Sequence, residues 1–121
     1  MKEATIRVAV FRPGADVTYE TLPNELEDMQ KLVDGYIETL ALSNTLTAIC
    51  NEDGKIRRLP SNRLVGGPGG TRTFDILVGT FFVARMHEED FASIYERDEH
   101  RLNAWKPDKI WYLGRGVDGG K

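Results

Sequence analysis

The 121-residue chain holds a single cysteine, Cys50, and only two histidines, His87 and His100. One cysteine excludes an intramolecular disulfide and suits a reducing compartment. Cys50 falls within an apolar strand-like run, where it reads as a small buried hydrophobe rather than a nucleophile. His87-Glu88-Glu89-Asp90-Phe91 lacks the second histidine of a zinc-binding helix. No apolar run reaches the ~18 residues of a membrane span. The opening Met1-Lys2-Glu3-Ala4-Thr5 leads into no secretory h-region, so a cytoplasmic protein without a membrane partner is expected. No acid pair stands apart from the many solvated carboxylates, which removes the basis for paired-carboxylate catalysis. The run Gly66-Gly67-Pro68-Gly69-Gly70 is not followed by the lysine, hydroxyl residue and helix of a phosphate-binding P-loop. Gly114-Arg115-Gly116-Val117-Asp118-Gly119 spells a dinucleotide fingerprint, but no helix follows it. There is no internal repeat. Together these absences point to a non-enzymatic protein with no catalytic residue, metal or cofactor.

What is present is a segregated charge. The formal net charge is −3. Residues 1–54 hold four cations and ten acids, and residues 73–102 hold three cations and seven acids. Between them, residues 55–72 hold five cations (Lys55, Arg57, Arg58, Arg63 and Arg72) and no acid. This basic segment also contains the glycine-rich run. Cations beside exposed backbone N–H groups are what an anion site requires.

Thr5 to Phe11 alternates apolar and polar residues, the period of a half-buried strand, and Arg12-Pro13-Gly14-Ala15-Asp16 turns it into a second strand over Val17 to Leu22. Asn24 with Glu27 predicts a capped helix start, Leu26, Met29, Leu32 and Val33 its buried face, and Gly35 its left-handed end. Tyr36 to Leu42 and Leu46 to Asn51 read as a hairpin. Phe74 to Met86 is near-continuously apolar and predicts one strand buried on both faces, with Gly79 at a bulge or break. A second helix begins either near Glu88 or at Ile94 behind a Ser93/Glu96 capping box, and Pro107 stops it. From Ile110 onward one short apolar piece precedes a glycine-rich end expected to be mobile. This order predicts an α+β fold: a mixed sheet with a helix packed on one face, β-grasp-like, plus a C-terminal helix. A single domain is expected over residues 1–102, followed by an aromatic-basic extension over 103–121.

Four pieces stand in sequence as Gln30-Lys31-Leu32-Val33-Asp34-Gly35-Tyr36-Ile37-Glu38, Cys50-Asn51-Glu52-Asp53-Gly54-Lys55, Leu59-Pro60-Ser61-Asn62-Arg63 and Asp75-Ile76-Leu77-Val78-Gly79-Thr80-Phe81-Phe82. In order and spacing they resemble the uncharacterised bacterial and phage domain family of unknown function numbered 3846, over roughly residues 5–98. Leu-Pro-Ser-Asn-Arg and Asp-Ile-Leu-Val-Gly-Thr are the more specific parts. The resemblance implies a small soluble protein of a kind often carried by phages and mobile elements, and it brings no activity with it. The Gly66–Gly70 insert and the tail after residue 102 depart from the family pattern.

Two surfaces are candidates for binding. Arg57, Arg58, Asn62, Arg63 and Arg72 would hold a phosphate-bearing ligand; against this, the arginines would pair with helix acids and Asn62-Arg63 would serve the fold. Trp105, Trp111 and Tyr112, interleaved with cations, would stack on a base or anchor a partner; against this, the tail would pack its tryptophans on the domain. The function expected is a binding protein of phage or mobile-element origin that antagonises a host process, such as a defence system, by holding an anionic ligand or a host protein. The alternative is a nucleic-acid-binding accessory factor using the basic loop and the C-terminal aromatics. A homo-oligomer is compatible with either.

Overall fold

Alternating strands build two sheets, and the computed structural model describes them over residues 2–68 and 74–117. β1 (Thr5–Phe11), β2 (Thr18–Pro23), β3 (Ile37–Ala41), β4 (Leu46–Asn51), β7 (Phe81–His87) and β8 (Asp90–Ala92) form a six-stranded antiparallel sheet. Its order is β2-β1-β7-β4-β3, with β8 paired to β7. The second sheet runs β10-β9-β5-β6, from β10 (Gly116–Val117), β9 (Ile110–Tyr112), β5 (Ser61–Gly66) and β6 (Phe74–Val78). β5 and β9 pair in parallel, Val65 opposite Trp111. The helices are α1 (Leu26–Val33) and α2 (Glu96–Asn103). The fold is α+β, with a helix across one face of the main sheet and a helix near the C-terminus.

The main sheet is buried on both faces, which explains the apolar run of β7. Ile6, Val8 and Val10 of β1 with Ile49, Phe82 and Ala84 face α1, whose Met29 and Val33 close that layer. The opposite residues Ala9, Phe11, Ala48, Phe81 and Val83 face Val65 and Leu77 of the second sheet, Leu102 of α2, Trp105 and Trp111. Two faces, each with period 2, therefore give three layers.

Several local expectations are corrected. Phe74 to Met86 is two strands in different sheets, not one. Gly79, at φ 70°, turns the chain from one sheet into the other, and a Cβ there would stand 2.7 Å from Leu59 Cδ1. Leu-Pro-Ser-Asn-Arg leads into β5, a strand the sequence did not predict. Glu25, not Asn24, precedes α1; Asn24 is buried and donates instead to the carbonyls of Glu3 (2.9 Å) and Phe91 (3.2 Å). The left-handed residue ending α1 is Asp34 (φ 61°), and Gly35 is required for space, since a Cβ would lie 2.5 Å from Asn51 Nδ2. Asn51 uses that approach to donate to the carbonyls of Val33 (3.0 Å) and Asp34 (2.9 Å), satisfying the helix C-terminus. α2 starts at Glu96, later than both expected starts, because Ser93 is held by Glu3 and Asp98 accepts the Tyr95 N–H at 2.7 Å. It ends at Asn103, ahead of Pro107. Residues 110–117 of the tail are β9, a turn and β10; residues 118–121 lie outside the described residues.

Candidate functional site

The basic segment is divided by the fold. Asn62 is buried and donates to the carbonyls of Phe11 (2.9 Å) and Gly79 (2.7 Å). Arg63 is also buried, and its fork reaches three parts of the chain: Nε to the Trp105 carbonyl (2.8 Å), Nη1 to Asn62 Oδ1 (2.9 Å) and Nη2 to the Ala15 carbonyl (2.6 Å). Its guanidinium lies 5.1 Å from the Phe11 ring centre. Burial pushes its pKa below the usual arginine value, although Asp16 opposes the shift. The Gly79 N–H meanwhile donates to the Pro60 carbonyl at 2.7 Å. The Leu-Pro-Ser-Asn-Arg and Asp-Ile-Leu-Val-Gly-Thr pieces therefore meet at Gly79 and lock the crossing between sheets.

Lys55, Arg57 and Arg58 are at the surface. Arg57 pairs with Asp34 at the end of α1, 2.9 Å from Oδ2, and Lys55 pairs with Asp75. The Lys55 ammonium holds the Asp75 carboxyl below its ordinary value. Such exposed pairs contribute about 0–1 kcal/mol each. Arg58 is exposed at φ 57°. Arg72 lies outside the described residues. The structure thus separates Asn62 and Arg63, which face inward, from Arg57 and Arg58 at the surface.

The tail is divided similarly. Trp105 and Trp111 are among the largest fully buried side chains. Trp105 packs at 5.1 Å from Phe11, 5.5 Å from Phe81 and 5.4 Å from Trp111, measured between ring centres. Trp111 Nε1 donates to the Leu42 carbonyl at 3.0 Å. Tyr112, next along β9, points the other way. Cys50 is buried, and desolvation pushes its thiol up to about 11.

The outer face of the second sheet is the surface that the sequence reading missed. Register places Leu64 between Ile76 and Ile110, and Gly66 between Phe74 and Tyr112. Cross-strand partners share a face. The intervening Val65 and Trp111 are buried inward, so these two rows point outward. None of the six residues is charged. Phe74 is 52% and Ile76 40% exposed. A Cβ on Gly66 would stand 2.5 Å from the Tyr112 ring, so glycine lets that ring lie across β5. α1 packs on the main sheet, and α2 supplies Leu102 to the core between the sheets. Reading Phe74 to Met86 as one buried strand hid this face; Gly79 was the available signal.

Among the described residues no helix is long and apolar enough to cross a membrane. No curated protein and no solved structure matches the chain. A family model described as a domain of unknown function, DUF3846, matches residues 6–104, and the chain belongs to that family.

Proposed function

We propose that this chain is a non-enzymatic binding protein that seats a host protein on the open face of its second sheet and thereby antagonises the process that protein serves. The carrying observation is the uncharged composition of that face, with Phe74 and Ile76 open to solvent beside Tyr112. A contiguous apolar patch is costly to leave in water and characterises protein-binding surfaces, where aromatic side chains act as anchors. The phage or mobile-element origin that the family resemblance implies favours reading the partner as a host component. Arg58 and the Arg57–Asp34 pair lie at the surface on the segment before β5.

A second reading, single-stranded nucleic acid, draws on Phe74 and Tyr112 flanking Gly66 as stacking surfaces. Both readings are tested by placing a photo-crosslinking phenylalanine analogue at Phe74, with Tyr36 as the control position, in host cells. A discrete protease-sensitive adduct from position 74 alone is expected. Ile76→Glu should weaken it at least about tenfold, because a charge would be buried against an apolar partner. A nuclease-sensitive adduct would transfer the assignment to nucleic acid. An adduct indifferent to Ile76→Glu would remove the face from the function altogether.

A further inference from the structure

A cleft of about 350 Å³ lies between the β7–β8 hairpin and the start of the chain. Its wall includes Arg85, Met86, Asp90 and Tyr95. Arg85 is on the α2 side of β7, and its guanidinium is fixed from two directions. Nε and Nη2 donate to Asp98 at 2.6 and 2.8 Å, and the group sits 3.8 Å over the Tyr95 ring. Asp98 is itself buried and takes the Tyr95 N–H. Nη1 has no hydrogen-bond partner among the described residues, so one edge of an already oriented fork remains available at the cleft. An orientation set in advance lowers the entropy cost of binding an oxyanion.

The surrounding charges select the ligand. Lys2 and His87 line the cleft, as do Glu3 and Asp90. Glu3 is committed to Ser93, accepting its N–H at 2.9 Å and its hydroxyl at 3.1 Å. Asp98 neutralises Arg85. A multiply charged phosphate would therefore meet as much negative as positive charge, whereas a molecule with one carboxylate and one ammonium would meet Arg85 and Asp90. Tyr95, 51% exposed, borders the same space and offers cover for an apolar body.

We infer that this cleft binds a small zwitterion of the free amino-acid type, its carboxylate on Arg85, its ammonium on Asp90 and its apolar side chain against Tyr95. The test is an NMR titration of the full chain with phenylalanine, 3-phenylpropionate, phenethylamine and inorganic phosphate. Phenylalanine should shift the Arg85, Asp90 and Tyr95 signals saturably. The two single-charge analogues should bind about tenfold more weakly or worse. Arg85→Lys should weaken phenylalanine and phenylpropionate but not phenethylamine. Asp90→Asn, at an exposed strand end where folding is undisturbed, should weaken phenylalanine and phenethylamine only. The inference is overturned by no saturable shift at about 10 mM, by equal binding of all three organic probes, or by phosphate alone occupying the cleft.

Discussion

Arg63 shows how a basic residue in a basic segment can be wholly internal. Its three forks of hydrogen bonds join β5, the turn after β1 and the chain after α2, and Phe11 covers its plane. Lysine has one donor centre in place of a planar fork and cannot span these acceptors. Arg63→Ala leaves the buried carbonyl of Trp105 and the part-buried carbonyl of Ala15 without this donor and opens a void. It should cost about 3 kcal/mol. Arg58→Ala, five positions earlier and exposed, should change stability by less than about 0.5 kcal/mol. Urea unfolding of the two variants checks both figures, and equal midpoints would contradict the assignment of Arg63 to the core.

Among the elements, α2 is secured to the main sheet by the Arg85–Asp98 pair. Burial pushes the Asp98 carboxyl up, but hydrogen bonds from Arg85 and the Tyr95 N–H more than offset this and hold it below the usual aspartate value. On acidification the unfolded chain therefore takes up this proton first. The pair's stabilisation is fully present above the ordinary aspartate pKa of about 4 and is lost as pH falls through the lower, folded value. Asp98→Asn should cost about 3 kcal/mol at neutral pH, by leaving the Arg85 guanidinium, only 13% exposed, without its charged partner. It should also flatten the acid limb of stability against pH. Urea midpoints from neutral pH down to about pH 3 test this; a limb of unchanged slope would refute it.

The same scale shows what could be read in the chain. β1 and β4 were legible because alternation and flanking turns agree within a few residues. Phe74 to Met86 was not, because a strand leaving one sheet and a strand entering another share one apolar composition. Only the φ of Gly79 separates them. Ser61 to Gly66 was hidden because Pro60 and the glycines dominate its local signal, while its pairing partners lie in β6 and distant β9. Asn62 and Arg63 were singled out as candidates to hold a ligand, and the fold buries both; burial is a property of the assembled layers. The open face of the second sheet depends on register, which composition does not carry.

For the whole molecule, the segment after α2 is part of the central packing. Trp105 and Trp111 fill the space between the sheets, and β9 supplies the parallel partner of β5. Losing one buried tryptophan costs about 3–5 kcal/mol, against a total stability of about 5–15 kcal/mol for a domain. A chain truncated after Asn103 should therefore lack a cooperative thermal transition and bind a hydrophobic dye. A truncated chain melting within about 5 °C of the intact protein would show that the tail is dispensable.

The parallel pairing of β5 with β9 also has a consequence for biosynthesis. The ribosome releases β1 through β7 while the inner face of the main sheet still lacks both indoles. The bond from Trp111 to the Leu42 carbonyl spans 69 positions of chain. Contacts between such distant positions form late, because loop closure must precede them. The nascent protein must therefore carry Phe11, Phe81 and Val83 uncovered by either indole until Trp105 and Trp111 emerge.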